Sequence, residues 1–413
     1  MEIAKNQIDT AAKRRLSVSL YLNYLVHGMG LIILAQNMNS LGMAWNQPIK
    51  IVSFVISGIG IGRLISYLIT GFLSDKISRK FFVELGMFCY AVFALGMPMT
   101  KNIWIAYFFA ILAGVANSSL DAGTYTTFVE MNGGNGAYTI LIKAFVSIGE
   151  FILPILVTIL AGQGMWFGWS FMAMVILLAI NFCLILPLKF PVANQADGSA
   201  TNEQESEIKG VAKKVMTGAL VVYGYSSMAL MIWFTQWITM FAQQTMHMSD
   251  GAAHFLLSLY SIGSITGVLV LFALLGCNVK ESRLLLIVNA IALAALLVIM
   301  QSGQTLLMQI ASFAFGFSAA SGIMQTGLTI CMKLYPTHRG MITGIFYFFG
   351  SIASFTVPII TGMLSDISMV AVMAGDLVMA GIGILVAVIV ILAERKDNSD
   401  GDSTIKCFAR SNQ

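Results

Sequence analysis

Long apolar runs without a charged residue recur along this chain from Leu16 to Leu392. A transmembrane helix needs about 20 mostly apolar residues to cross about 30 Å of hydrocarbon, whereas a soluble domain carries roughly 25% charged residues. Here 58% of the 413 residues are hydrophobic and only 10% are charged. The sequence therefore predicts an all-α protein that lies in a lipid bilayer along nearly its whole length.

Charged residues, glycines and prolines divide the apolar runs into two sets of six. The first set lies near residues 17 to 40, 49 to 73, 80 to 99, 103 to 128, 137 to 161 and 165 to 188. The second lies near residues 214 to 243, 251 to 276, 281 to 301, 305 to 331, 340 to 364 and 368 to 392. We predict a cytoplasmic N-terminus (1–16), an N-terminal six-helix bundle (17–188), a polar cytoplasmic linker (189–213), a C-terminal six-helix bundle (214–392) and a cytoplasmic tail (393–413).

Most Lys and Arg residues between the predicted spans fall on one side of the membrane, and only Lys50 and Lys101 fall on the other. Cytoplasmic loops carry the excess of positive charge, which predicts a multi-pass protein of the inner (plasma) membrane with both termini in the cytoplasm. The net charge of +4 is small and scattered, which excludes a nucleic-acid partner. The five cysteines stand singly, so we predict neither a metal site nor a cofactor.

The two halves of the chain resemble each other in sequence. Residues 147–154 in the fifth span match residues 351–358 in the eleventh, and glycines of the second span match glycines of the eighth at nearly the same offset. Transporters built from two structural repeats place a solute site between the repeats. The pattern predicts a central site between two pseudo-symmetric bundles.

Residues 71–80 read G-F-L-S-D-K-I-S-R-K and follow the second predicted span. This segment resembles the signature G-x-L-x-D-R-x-G-R-[KR] of the major facilitator superfamily, with Lys76 in place of Arg and Ser78 in place of Gly. The resemblance covers essentially the whole chain and implies the major facilitator fold, with twelve helices in two six-helix bundles. It also implies a secondary transporter that works by alternating access.

The resemblance assigns the signature loop to a conformational latch formed by Gly71, Asp75, Arg79 and Lys80. Asp75 would face the N-terminus of the eleventh helix, where the helix dipole favours a negative charge. Arg79 and Lys80 would hold neighbouring helix ends. The alternative is a loop whose positive charges only set the orientation in the membrane.

A second resemblance lies in the fourth span, where residues 120–123 read L-D-A-G. They are similar to the L-[DE]-x-[AG] stretch of the fucose and glucose proton symporters, whose acidic residue takes part in proton coupling. This implies the same role for Asp121. Gly30 stands where we would expect the second carboxylate of those symporters, so sugar remains an alternative solute.

Ionisable side chains inside the hydrocarbon cost roughly 2.5 to 3.5 kcal/mol each and are therefore functional candidates. The candidates are Arg63, Asp121, Lys143, Glu150 and His27. Arg63 and Lys143 could bind an anionic solute or form permanent ion pairs with Asp121 or Glu150. Proton coupling is assigned to Asp121, Glu150 or His27, because a carboxyl or imidazole can carry a proton.

Uncharged polar and aromatic residues complete the predicted solute site. They are Asn23, Tyr67, Asn117, Trp233, Gln236, Trp237, Gln325 and Tyr347, with His27 as a further ligand. Helix packing in lipid also uses small polar residues, so some of them could serve packing alone. The charges lie in the first half and the neutral donors in the second, which predicts an asymmetric site.

We therefore predict proton-coupled uptake of a small hydrophilic solute, such as a carboxylate or another organic anion, by a monomer. A sugar/proton symporter and a proton-antiport exporter of amphipathic compounds are the alternatives, and sodium could replace the proton. Exporters of the resembled family typically carry a Gly-Pro dipeptide in the fifth helix, whereas here Pro154 follows Leu153. The sequence holds no recognisable catalytic motif, so we do not expect an enzyme.

Overall fold

A computed structural model describes residues 10–73, 78–132, 137–191, 210–276, 280–335 and 339–411, and the secondary structure of these ranges is helical. The helices of the first half are α1 (Thr10–Gln36), α2 (Met38–Trp45), α3 (Ile49–Leu73), α4 (Arg79–Gly96), α5 (Ile103–Asn132), α6 (Ala137–Gly162) and α7 (Trp169–Ile185). Those of the second half are α8 (Gly210–Gln244), α9 (Asp250–Gly276), α10 (Glu281–Gln301), α11 (Thr305–Phe315), a π-helical segment (Gly316–Ile323), α12 (Met324–Leu334), α13 (Arg339–Ser365) and α14 (Met369–Ser411).

In the described ranges, 10 helical stretches are long and apolar enough to cross a membrane, with α11, the π-helical segment and α12 forming one of them. Two of the predicted spans, now α4 and α7, are not among these 10 stretches. Helix α4 carries Arg79, Lys80 and Glu84 within its 18 residues, and α7 is an apolar helix of 17 residues. The all-α membrane fold is confirmed, while a crossing by α4 and α7 stays a prediction.

The start of α4 shows how the signature loop tolerates its departure at Ser78. The Ser78 backbone is extended, with φ −63° and ψ 142°, and its side chain accepts a 3.3 Å hydrogen bond from the Phe81 amide. A serine in this position satisfies one of the free amides of the first helical turn. Ser78 is therefore a helix cap, and its backbone does not need the conformational freedom of glycine.

Within the first half, α1 packs on α6 and α7, α3 packs on α5, and α4 packs on α5 and α7. Glycines allow the closest of these approaches. A Cβ atom on Gly28 would lie 1.9 Å from the carbonyl oxygen of Val146, and one on Gly149 would lie 2.0 Å from that of Leu25. Small residues let membrane helices approach backbone to backbone, so α1 and α6 pack closely against each other.

Within the second half, α8 packs on α13 and α14, α10 packs on α14, and α9 packs on α11 and the π-helical segment. The π-helical segment begins at Gly316, where a Cβ atom would lie 1.9 Å from the carbonyl oxygen of Tyr260 in α9. π-Helical turns are rare and often occur at functional sites. This segment directly precedes the residues of α12 that line the central cavity described below.

Among the described residues, the two halves meet mainly where α3 packs on α13 and α6 packs on α9, with a smaller contact between α1 and α8. The α3–α13 contact is tight, because a Cβ atom on Gly60 would lie 2.3 Å from the amide nitrogen of Phe355. These pairs place the two bundles side by side, as the internal repeats predict.

Hydrogen bonds between the halves close one end of the molecule, where α1 ends and α3 begins. The side-chain nitrogen Nε2 of Gln36 donates to Thr239 Oγ1 over 3.0 Å, and His254 Nδ1 lies 2.5 Å from Gln36 Oε1. Asn39 donates to Gln243 over 3.3 Å. We call this region the closed end.

Two further contacts strengthen the closed end. Lys50 forms a 2.7 Å ion pair with Asp366 across the halves. Ser53 donates to the carbonyl oxygen of Pro358 over 2.5 Å and accepts from Gln236 Nε2 over 2.6 Å. The closed end is thus sealed by polar contacts from α1, α2 and α3 of the first half.

Candidate functional site

A cavity of about 1640 Å³ lies between the two halves. Its wall comes from α1, α3, α5 and α6 on one side and from α8, α9, α12 and α13 on the other. The lining residues Ile142, Met332 and Thr343 lie near the ends of their helices that are remote from the closed end. The cavity therefore extends from the centre of the molecule away from the closed end.

The charge of this cavity is one-sided. The charged lining residues Arg63, Asp121, Lys143 and Glu150 all belong to the first half, and none of the described residues that the second half contributes to the wall is charged. This is the asymmetry that the sequence predicts.

Asp121 on α5 is held by two tyrosines. The Tyr24 hydroxyl donates to Asp121 Oδ1 and the Tyr67 hydroxyl donates to Asp121 Oδ2, each over 2.6 Å. Hydrogen bonds to an ionised carboxylate are stronger than those between neutral groups. The two hydroxyls therefore fix the carboxyl group in the cavity wall without a salt bridge.

Arg63 on α3 lies beside this group with unused hydrogen-bonding capacity. Its Nη1 donates a long 3.4 Å hydrogen bond to Ser354 Oγ in the other half, and its guanidinium carbon lies 5.9 Å from the centre of the Tyr67 ring. Its Nε is buried and has no hydrogen-bond partner among the described residues. A guanidinium presents several donors in one plane, so this one is able to bind a carboxylate or a phosphate.

Lys143 also lines the cavity, on α6. The ion pairs between described residues are Lys50–Asp366, Lys80–Glu84 and Lys333–Glu281. None of them includes a charge of the cavity. The permanent pairing of Arg63 or Lys143 with a carboxylate, one of the two alternatives at the sequence level, is not formed in this conformation.

Glu150 lies where α6 of the first half meets α9 of the second. Its side chain is 5% exposed, and Oε2 has no hydrogen-bond partner in the described part of the chain. Hydrogen bonds between the halves occur on both sides of it in sequence, from Ser147 to Ser264 over 3.3 Å and from Ser258 to the Phe151 carbonyl over 3.0 Å. Glu150 is therefore buried at the contact between the two bundles.

His27 lines the cavity and is connected to the interior of the first bundle. The Tyr90 hydroxyl lies 2.9 Å from His27 Nδ1 and donates to Asn117 Oδ1. Asn117 is buried behind this contact and does not line the cavity. It orients Tyr90, which in turn orients the imidazole.

The remaining predicted ligands divide into two groups. Tyr67, Gln236, Gln325 and Tyr347 line the cavity, as the sequence predicts for solute ligands. Of these, Gln236 also belongs to the closed end through its bond to Ser53.

Asn23, Trp233 and Trp237 do not line the cavity. Asn23 Oδ1 accepts a 2.7 Å hydrogen bond from Asn181 on α7, and Trp233 Nε1 donates to the Val372 carbonyl on α14 over 2.7 Å. Trp237 is fully buried. Asn23 and Trp233 are held by partners in their own halves, and none of the three side chains contacts a solute in the cavity in this conformation.

The predicted latch is described only in part. Asp75 lies outside the described residues, Gly71 belongs to the last turn of α3, and Arg79 begins α4. Lys80 donates to the Leu186 carbonyl just after α7 over 2.6 Å. The bond from Lys80 agrees with a role in holding helix ends, and the latch itself stays a prediction.

Sequence reasoning missed an acidic residue in the second half. Asp376 on α14 is fully buried, and in the described part of the chain neither of its carboxyl oxygens has a hydrogen-bond partner. It interrupts the apolar run near residues 368 to 392. The rule that singled out Asp121 and Glu150 applies equally to this position.

A helical membrane protein with a charged central cavity, sealed at one end between two bundles, has the architecture of a solute transporter. The sequence model described as Major Facilitator Superfamily matches residues 18–304 and 226–406. The chain belongs to the Major Facilitator Superfamily. This confirms the family resemblance, the fold class and the expectation that the protein is a transporter and not an enzyme.

Related sequences carry the names of transport proteins. The chain is 39% identical over 381 residues to "Inner membrane transport protein YdiM" of Escherichia coli (strain K12), covering 92% of this chain and 94% of the relative. It is 37% identical over 350 residues to "Uncharacterized MFS-type transporter YfkL" of Bacillus subtilis (strain 168), covering 84% and 88%.

Solved structures share the fold at low sequence identity. The D-xylose-proton symporter superposes with a TM-score of 0.74 at 13% identity, over 91% of this chain and 96% of the symporter. The nucleoside transporter NupG superposes with a TM-score of 0.68 at 14% identity, over 92% and 98%. These likenesses establish the fold and leave the solute open.

Proposed function

We propose that this protein is a proton-coupled symporter that takes up a small organic anion by alternating access. The observation that carries the proposal is the Arg63 guanidinium, which lines the central cavity and forms no ion pair with a described carboxylate. A guanidinium in a membrane interior needs an anionic partner or several hydrogen-bond acceptors, and an anionic solute supplies them. Lys143 adds a second cation to the same wall.

Alternating access requires that the cavity open to one side at a time. Here the Gln36, Asn39 and Lys50 contacts seal the closed end, and the cavity extends towards the other end. With the predicted orientation, the closed end faces the outside and the cavity faces the cytoplasm. The conformation would then be the one that releases solute into the cell.

Coupling is assigned to Asp121 and Glu150. Asp121 lies next to Arg63 and shares Tyr67 with it, so its charge and the solute charge influence each other. Glu150 has no hydrogen-bond partner for Oε2 at the α6–α9 contact. Protonation of Glu150 removes a charge from the surface along which the bundles must move relative to each other.

Proteoliposomes that contain a pH-sensitive dye test the proposal. Gluconate, glucuronate, succinate and the aromatic dianion phthalate, which cross bilayers poorly on their own, are added outside one at a time. Symport predicts that at least one of them acidifies the lumen, whereas proton antiport predicts alkalinisation. Protein-free liposomes provide the baseline.

Variants assign the roles. Arg63→Ala should abolish the acidification, and Asp121→Asn should keep exchange of labelled anion while losing the pH response. Lys333→Ala is the matched control, because Lys333 pairs with Glu281 away from the cavity. Full activity of Arg63→Ala would rule out the role of Arg63 in binding the anion. A neutral sugar that acidifies the lumen in both wild type and Arg63→Ala would instead identify a sugar/proton symporter.

A further inference from the structure

We propose that the anion carried by this transporter is amphipathic, with its anionic group at Arg63 and a ring or other compact apolar body against the wall of the second half. The inference rests on the proposed function and specifies its solute class. It follows from what the two walls of the cavity offer to a bound molecule.

The wall of the first half supplies the charge. Arg63 and Lys143 are the cations that line the cavity, and both lie on this side. Asp121 accepts one hydrogen bond at each carboxyl oxygen, from Tyr24 and from Tyr67, and its own charge would repel an anion. An anionic group therefore finds its donors in the first half, close to α3 and α6.

The wall of the second half supplies methionines at helical spacing. On α8 the residues Met228, Met231 and Ile232 line the cavity, at i, i+3 and i+4. On α12 the residues Met324 and Met332 line it, with Leu328 between them. Methionine is flexible and polarizable and packs well against aromatic rings. Two helix faces of this kind form an adaptable apolar surface opposite the cations.

Aromatic residues extend the same surface. Phe348 and Tyr347 on α13 line the cavity, and Tyr260 on α9 lies beside Phe234 and Phe315 with ring centres 5.5 and 6.2 Å away. Aromatic side chains favour stacked or edge-to-face contacts with another ring. A fully hydrophilic solute would leave these groups facing polar atoms, whereas a ring body would pack on them.

The cavity has room for a solute body beyond the anionic group. Small-molecule pockets usually enclose about 300 to 1,000 Å³, and this cavity of about 1640 Å³ is larger. A solute with little more than a carboxylate group would bind Arg63 and leave the methionine side chains of the opposite wall in contact with water. Each additional buried methylene of the solute body should improve affinity about fourfold.

Binding to purified protein in lipid nanodiscs tests the inference with a matched set of probes. The probes are acetate, cyclohexanecarboxylate, benzoate and 2-naphthoate, with benzamide as the neutral analogue of benzoate. Thermal stabilisation is measured against probe concentration, because a ligand that binds the folded state raises the melting temperature. Protein-free nanodiscs show how much of each probe the lipid takes up, and the free probe concentration is corrected for this uptake.

We expect the dissociation constant to fall at least tenfold from acetate to benzoate and to fall again for 2-naphthoate. Benzamide should bind at least tenfold more weakly than benzoate, and Arg63→Gln should remove the difference between them. The double variant Met231→Gln, Met332→Gln should reduce the preference for benzoate over acetate at least threefold and leave acetate binding unchanged. Met43→Gln is its control, because Met43 is 76% exposed and does not line the cavity.

Equal affinity for acetate and benzoate would overturn the amphipathic body, and equal affinity for benzoate and benzamide would overturn the anionic group. Neither result bears on symport itself, which the acidification of liposomes tests separately. Absence of binding by every probe, together with acidification by gluconate, would also overturn this inference while retaining the proposed function.

Discussion

The hydroxyl of Tyr67 donates a 2.6 Å hydrogen bond to the carboxyl group of Asp121. The ring of the same tyrosine lies 5.9 Å from the guanidinium carbon of Arg63. One side chain therefore touches both the group assigned to the proton and the group assigned to the anion. The Asp121 carboxyl group therefore helps to position the Tyr67 ring that borders Arg63.

Tyr67→Phe should uncouple the two groups without removing either. A hydrogen bond to a charged acceptor contributes about 1.5 to 3 kcal/mol, so we expect anion-dependent acidification in liposomes to fall roughly 10- to 100-fold. Tyr335→Phe is the matched control, because its hydroxyl bonds Thr217 at 2.8 Å and does not line the cavity. Equal acidification rates for the two variants would show that the Tyr67 hydroxyl is dispensable.

The closed end should be fixed by a covalent link between the halves. Asn39 and Gln243 side chains lie within 3.3 Å across the two halves, so a short bismaleimide should join Asn39→Cys to Gln243→Cys in one protein. We expect transport to stop after cross-linking, while each single variant, treated in the same way, keeps its rate. Continued transport by the linked protein would mean that the closed end does not open during the cycle.

Gly149→Ala should destabilise the α1–α6 pair. The new Cβ atom would lie 2.0 Å from the Leu25 carbonyl oxygen, and forced overpacking of this kind typically costs about 1 to 3 kcal/mol. We expect a clear drop in the melting temperature in detergent. Gly218→Ala is the control, because a Cβ atom there meets nothing within 4 Å and alanine favours the helix. A melting temperature equal to that of Gly218→Ala would show that α1 can move away from α6 at little cost.

Asp376→Asn should keep or raise the melting temperature. In the described part of the chain the carboxyl group has no hydrogen-bond partner and is fully buried, so the neutral amide loses no contact and carries no charge into an apolar interior. Thermal unfolding of the two proteins at the same pH measures the difference. A fall of several degrees would reveal a bound group that stabilises the carboxyl in the folded protein.

Charged residues inside apolar runs are the part of the candidate site that the sequence indicates most directly, for a physical reason. A charge in hydrocarbon is too costly to persist without a task, so Arg63, Asp121, Lys143 and Glu150 stand out in apolar runs, and all four line the cavity. The same reasoning extends to Asp376, which lies in the last apolar run and is missing from the predicted site.

Tyrosines and tryptophans give no comparable signal, because they are common in membrane helices and their role depends on helix rotation. Tyr24 reaches Asp121 only because α1 turns that face towards α5. On α8, the sequence places Trp233, Trp237 and Gln236 on one broad helix face. Gln236 nevertheless lines the cavity, whereas Trp233 donates a hydrogen bond to α14. Periodicity locates a polar or aromatic face and does not say which neighbour that face meets.

The π-helical segment Gly316–Ile323 directly precedes Met324 and Gln325, which point into the cavity. A wide turn accommodates one residue more than an α-helical turn, and one residue of α-helix corresponds to a rotation of about 100°. Conversion of this segment to α-helical turns would therefore rotate Met324 and Gln325 relative to the neighbouring helices. Such a rotation would change which side chains of α12 face the solute.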